Sequence, residues 1–197
     1  NMGASVTALA RTQSALNTVV EEIEALGAPT AHALVADLDN LEGLDATIAA
    51  HIERHGPFHI WVNNTGGPPG GPLTQASTEA IATSVARHVL APQVILKHVL
   101  PGMQEHGYGR IINVLSTSVR EPIPNLGVSN LTRAAVASWA KTLSRELPPG
   151  ITINNVLPGF TATGRLASLA KGKADRGGQS VDNVYDQWIA QVPEGRL

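Results

Sequence analysis

His59-Ile60-Trp61-Val62-Asn63-Asn64-Thr65-Gly66 is the stretch on which the fold turns. Its first four residues are aromatic or β-branched and suit a strand buried in a sheet, and the polar residues and glycine that follow end it. The same unit recurs on either side. Short apolar or β-branched runs stand at 5–9, 31–35, 110–115 and 152–157, each followed by a longer stretch with helical spacing. Strands alternating with helices of that length predict crossover units, a parallel sheet and helices on both faces. The expected fold class is therefore α/β, an open parallel sheet in a single domain over 1–197.

The helices announce themselves by stripe and stop. Leu16, Val19, Val20, Ile23 and Leu26 fall on one face and end at Gly27; Leu41, Leu44, Ile48 and Ile52 do the same and end at Gly56. A long helix is expected over 77–105 and another over 129–147, before Pro148-Pro149-Gly150. Gly70-Gly71-Pro72 and the segment 171–178 read as loops, the second as a mobile lid.

Charged residues are 15% of the chain and the net charge is -2, with no basic run, so neither nucleic acid nor an acidic surface is an expected partner. The chain has no cysteine, which removes disulfides, thiolate metal sites and thiol nucleophiles; a reducing, cytoplasmic setting is the expectation. No apolar run is long enough for a membrane span, and no metal site is expected. His51 and His55 share a helical face, but a metalloprotease needs glutamate directly after the first histidine and here it is Glu53. The pair reads as a solvated helix end.

Open parallel sheets bind dinucleotides at the C-terminal ends of their strands, with the pyrophosphate on a glycine-rich turn. No such turn follows any predicted strand. Gly66-Gly67-Pro68-Pro69-Gly70-Gly71 is rich in glycine, yet its prolines remove the N–H donors that phosphate needs.

Further landmarks fall in a fixed order around Asn63-Asn64-Thr65-Gly66: Ala36-Asp37-Leu38, Leu100-Pro101-Gly102-Met103, Ile112-Asn113-Val114-Leu115-Ser116, Asn154-Asn155-Val156-Leu157-Pro158-Gly159 and Val192-Pro193-Glu194-Gly195-Arg196-Leu197. Together they resemble the short-chain dehydrogenases/reductases, whose fold is Rossmann-type, and the resemblance covers nearly the whole chain. It implies NADP(H)-linked hydride transfer on a small carbonyl or alcohol substrate. It implies Ser116 as a catalytic serine, and a cofactor held by Asp37, Leu38, Asn64, Thr65, Gly66, Pro158, Gly159, Thr161 and Thr163, with Arg133 placed to hold its ribose or phosphate. Where the family selects NAD with an acidic residue after its second strand, this chain has Ala10 and then Arg11, whose forked donors suit a 2′-phosphate. NADP is thus expected over NAD. The helices near 77–105 and 129–147 resemble those that pair two subunits, so a homo-oligomer is expected. The resemblance also places the family's first strand and phosphate turn before Asn1 and its last strand after Leu197. The strands at 5–9 and 59–62 would then pair directly, receive another chain, or leave the sheet incomplete.

The family's catalytic tyrosine and lysine are not here. Thirteen residues beyond Ser116 stands Ser129, and four further on stands Arg133, in a frame fixed by Ala134-Ala135-Val136. Serine is a far weaker acid than tyrosine, and arginine keeps its proton. The family's relay asparagine falls at His88. Two readings stay open. One is an oxidoreductase using Ser116, His88, Ser129 and Arg133 with water; the other is a pseudo-enzyme that keeps the fold as a nucleotide-binding or dimeric interaction module. Of the two tyrosines, Tyr108 precedes a strand at its non-catalytic end and Tyr185 lies in the lid region.

Overall fold

The computed structural model describes residues 3–197. The five expected strands form as β1 (Val6–Ala10), β2 (Ala31–Val35), β3 (Ile60–Asn63), β4 (Gly109–Val114) and β5 (Ile151–Val156), all parallel where they pair. They build two sheets, β1-β2 and β3-β4-β5. No ladder joins β1 to β3, so direct pairing of those strands, one of the three expected outcomes, does not occur among the described residues. The outward face of β3 is correspondingly bare: Ile60 is 51% exposed and Val62 55%.

One hydrophobic core holds the two sheets together from the other face. Helices α1 (Gln13–Ala25) and α2 (Leu41–His55) follow β1 and β2, and α2 packs against α4 (Ala91–Glu105). Leu44 and Ile48 of α2 join Leu34 and Ala36 of the first sheet to Ile95, Val99 and Met103 of α4 and to Ile111 and Ile153 of the second. Leu44, Val99, Met103 and Ile111 are almost fully buried, and burial of each such side chain is worth about 1.5–3 kcal/mol. This one-sided core spans the break between the sheets.

A second, polar device locks the register of β3-β4-β5. Asn63, Asn113 and Asn155 are direct partners across the three strands. Asn63 donates its amide to Asn113 Oδ1 at 2.9 Å, and Asn113 donates to Asn155 Oδ1 at 2.9 Å. Slipping any strand by one residue would orphan a buried amide, which costs about 1–3 kcal/mol.

The long helix expected over 77–105 is interrupted. It runs as α3 (Thr78–Val85), a π-helical turn over Ala86–Leu90, then α4. Pro92 supplies the reason: without an N–H it cannot close the α-type bond to the His88 carbonyl, and the neighbouring Ala91 N–H reaches back to Ala86 instead. Helix α5 (Gly127–Leu143) starts two residues before the expected 129, and hydrogen-bonded turns continue from it to Leu147.

Two expectations are corrected. The segment 171–178 is not a loop: it lies mostly within α6 (Gly164–Gly177), which packs with α7 (Val181–Ile189) in a second apolar cluster around Leu166, Ala170, Val184 and Trp188. Leu166, Ala170 and Ala174, at helical spacing, carried that face, and the glycines at 172 and 177 obscured it. His51 is not solvated: it is 7% exposed, hydrogen-bonds Thr7 at 3.1 Å and stacks on Phe58. No helix among the described residues is long and apolar enough to cross a membrane.

Burial, and then the neighbouring His55, His32 and Arg54, hold the His51 imidazole below its ordinary pKa. His88 is lowered too, first by burial. Groups depressed in this way take up protons in the unfolded chain first, so their stabilising effect is complete above the unfolded value and is lost as pH falls through the folded one. Urea midpoints should therefore fall as pH is lowered from about 7.5 to about 5.5, and His51→Gln should flatten that acid limb. A profile that is level over that range, or a variant with an unchanged slope, contradicts the assignment.

Candidate active site

The C-terminal ends of β3, β4 and β5 and the loops after them surround a cleft of about 700 Å³, closed on one side by α6 and α7. Most of the sequence-predicted residues meet there: Asn64, Thr65, Gly66, Ser116, Ser129, Arg133, Pro158, Gly159, Thr161 and Thr163 all line it. Arg11, Asp37 and Leu38 do not; they follow β1 and β2, in the other sheet. Asp37 is tied up locally, accepting the Asp39 N–H at 3.0 Å, while Leu38 packs on the core.

Arg133 organises the floor. Its Nη1 donates to the carbonyls of Val114 and Leu115, both at 3.1 Å, its Nη2 to the Thr65 carbonyl at 3.4 Å, and its Nε to Ser129 Oγ at 3.3 Å. One guanidinium thus joins the ends of β3 and β4 to α5. Burial, with the charge of Arg165, lowers its pKa from the usual arginine value.

Ser116 closes β4. Its Oγ accepts the Ser118 N–H at 3.1 Å, so its own proton is left to donate into the cleft. Ser129 has the same arrangement, accepting from Arg133 Nε and keeping its O–H proton. Two hydroxyl donors therefore line one cavity.

His88 lies behind this floor, 3% exposed on the π-helical turn, and it does not line the main cleft. Its Nε2 is 3.0 Å from the Gly66 carbonyl, an acceptor only, so that nitrogen carries a proton. Burial, then the charges of Arg133 and Arg87, lower its pKa against the opposing Gly66 bond. In the neutral ring Nδ1 is an acceptor, 2.7 Å from Thr132 Oγ1. Thr132 has one proton to give and its other acceptor, the Val128 carbonyl, is farther away at 3.0 Å. Both nitrogens of His88 are engaged with protein. The two tyrosines are likewise elsewhere. Tyr108 is 42% exposed at the start of β4, with Arg110 over its ring, and Tyr185 packs edge-on to Trp188.

Sequence reasoning missed three features. Arg165 enters the cleft from α6, donating to the Pro68 carbonyl at 2.6 Å; nothing in its motif marked it. Arg87 forms a two-pronged ion pair with Asp39, which ties the π-helical turn to the loop after β2. The asparagine row across β3-β4-β5 was visible as an asparagine near the end of each strand, but pairing it required the register.

Two glycines leave the backbone open at the cleft. A Cβ placed on Gly66 or on Gly159 would meet nothing within 4 Å, so both backbones are open to a close approach from the cleft. Asn64, Thr65, Pro158, Thr161 and Thr163 add polar or rigid surface around them. Arg11 stands exposed after β1, within electrostatic reach of Asp39. These residues fit the two ends of a dinucleotide, whereas no glycine-rich phosphate turn follows any of the described strands.

The family model for short chain dehydrogenases matches residues 1–174. A Streptomyces coelicolor protein assigned as a ketoacyl reductase is 32% identical over 197 residues, taking in 98% of this chain and 75% of its own length. Among solved structures, an actinorhodin polyketide ketoreductase with NADPH matches at a TM-score of 0.88 and 31% identity, over 97% of this chain and 74% of that one. An NAD+-bound xylitol dehydrogenase matches at a TM-score of 0.89 over 98% of this chain and 76% of that one. At 23% identity that likeness is one of fold alone.

If the guanidinium is the strut described, Arg133→Ala should lower unfolding free energy by at least about 1.5–3 kcal/mol, the worth of one charge-assisted bond. Arg133→Lys should recover only part of it, since an ammonium cannot span three carbonyls. Equal urea midpoints for the parent and Arg133→Ala would remove the strut.

Proposed function

Because the chain belongs to the short chain dehydrogenase family, we propose that it is an oxidoreductase that moves a hydride between NADP(H) and a small carbonyl or alcohol compound. The observation that carries this reading is the pair of hydroxyls in the cleft. Ser116 and Ser129 each accept an N–H and keep a proton to donate, and both line the same cavity. Two such donors aimed at one carbonyl oxygen favour the negative charge that develops there during reduction.

Gly66 and Gly159 would let the cofactor approach the backbone, Thr161 and Thr163 would border its nicotinamide end, and Arg11 would pair with a 2′-phosphate. When bound, a nicotinamide dinucleotide supplies or takes up the hydride. The residues of the chain do the rest. Ser116 and Ser129 hold the oxygen, and the Arg133 Nε–H···Oγ bond makes the Ser129 proton the more readily shared. A serine hydroxyl is nevertheless too weak an acid to give its proton up outright, and His88 has no free nitrogen to relay one. The proton that ends on the product oxygen therefore comes from water in the cleft. Two copies of the chain would associate through the helices near 77–105 and 129–147, in a cytoplasmic setting that matches the absence of cysteine.

One observation favours a second reading, a nucleotide-binding pseudo-enzyme: the positions of the family's lysine and relay asparagine are occupied by groups spent on protein carbonyls and on Thr132. Fluorescence titration with NADPH and NADH, followed by turnover of simple ketones, separates the two. The oxidoreductase reading expects saturable binding that prefers NADPH, a preference lost in Arg11→Asp, and slow reduction that Ser116→Ala abolishes. It also expects the paired change Ser129→Tyr with Arg133→Lys to raise turnover, by about 100-fold or more if it restores general acid catalysis. Binding without turnover in the parent and in the pair establishes the pseudo-enzyme; binding of neither dinucleotide sinks both.

A further inference from the structure

The charged side chains that line the cleft are all cationic. Arg133, Arg165, Lys173 and Arg176 all line it, and not one aspartate or glutamate does. The ion pairs among the described residues lie elsewhere, Arg87 with Asp39 and Lys97 and His98 with Asp45. The chain as a whole carries a net charge of -2, so this concentration is local rather than a reflection of composition. Like charges gathered in a partly desolvated cavity repel one another, and burial alone already lowers the pKa of Arg165. An arrangement of that kind becomes favourable when an anion enters it.

The geometry converges as well. The Nη2 atoms of Arg165 and Arg133 come within 3.2 and 3.5 Å of the point where a Cβ on Gly67 would stand, so the two guanidiniums flank a single backbone position. Arg165 spends one donor on the Pro68 carbonyl and has no other protein partner among the described residues, which leaves a planar fork for a ligand. Lys173 is held against the face of Trp188 and hydrogen-bonded to Gln187, so its charge is fixed at the mouth.

Position says which molecule supplies the anion. Arg165, Lys173 and Arg176 belong to α6, after β5, and line the same cleft as Ser116 and Ser129. Arg11, the residue suited to a cofactor 2′-phosphate, follows β1 in the other sheet and does not line the cleft. We infer that this cleft takes an anionic substrate, a carbonyl or alcohol compound bearing a carboxylate or phosphate group, whose charge is received by Arg165 and Arg133 while its oxygen is held by the two serines. The inference rests on the oxidoreductase reading for the second half of that statement and on the cation cluster alone for the first.

Calorimetric titration tests it with two matched pairs, levulinate against its neutral methyl ester and dihydroxyacetone phosphate against dihydroxyacetone, each with and without saturating NADPH. The charged member of at least one pair should bind about 10-fold or more tightly than its neutral partner, and the favoured pair tells carboxylate from phosphate. Arg165→Gln should erase most of that preference, Arg165→Lys should keep a part of it, and Arg145→Gln on the outer surface should leave it intact. Should Arg165→Gln fail to fold, the double change Lys173→Gln with Arg176→Gln carries the same expectation of a reduced preference. Equal affinity within both pairs, or no binding of either anion at tens of millimolar, overturns the proposal. A charge preference seen only without NADPH overturns it too, because the cations then serve the cofactor. Charge preference without turnover would leave the anion site standing and remove the oxidoreductase reading; turnover of neutral ketones without charge preference would do the reverse.

Discussion

Strands of a parallel sheet end with carbonyls that the next strand does not reach, and in this protein the Arg133 guanidinium answers that problem at the floor of the cleft. Its three nitrogens donate to Val114, Leu115 and Thr65 carbonyls and to Ser129 Oγ, fixing β3, β4 and α5 relative to one another. Everything the cleft presents depends on this: Ser116 follows Leu115 directly, Gly66 follows Thr65, and Ser129 sits one helical turn before Arg133. An arginine is suited to the task because its donors are spread over a rigid plane, where an ammonium concentrates them at a point.

Behind the floor, one irregularity in the helix serves the same end. The π-helical turn at Ala86–Leu90, forced by Pro92, brings His88 beneath the loop after β3 and Arg87 over the loop after β2. His88 then fastens the Gly66 carbonyl to Thr132 of α5. A regular helix would rotate the residues before the turn by a large part of a residue step, and one of the two contacts would be lost. Like Arg133, His88 acts in the structure as a tie between loops, which is a demand on both nitrogens that excludes proton transfer while the tie is made.

The fold was legible in the sequence because its signals are local. The stretch 59–66 and the stripes that end at Gly27 and Gly56 each specify an element without reference to anything distant, and all five strands form within two residues of the expected bounds. The site was legible only as a set of positions. Ser116 and Ser129 do share a cleft, but that His88 is walled off from it, that Arg133 faces carbonyls, and that Arg165 arrives from α6 are consequences of packing between segments far apart in the chain. The misread segment 171–178 shows the same limit from the other side. Its glycines and charges argue for a loop locally, while Ala170, Ala174 and Trp188 bury a shared face once α7 is beside it.

Ser129 and Arg133 act as one unit in the floor of the cleft. The Arg133 Nε reaches Ser129 Oγ at 3.3 Å, and Ser129 is 6% exposed, so the arginine head lies close against the space beside a small residue. A tyrosine ring at 129 would have to project into the cleft past that head, and a lysine at 133 would leave two of the three carbonyls without their donor. A lysine at 133 would make room for a larger residue at 129 but would leave those carbonyls short of donors. The consequence for chemistry is a floor that is electrostatically strong and protonically inert. It can polarise an oxygen and, with Arg165 beside it, receive a charge, but it has no group that both gives and regains a proton near neutrality. If the two serines hold a substrate oxygen as proposed, its proton would have to come from water.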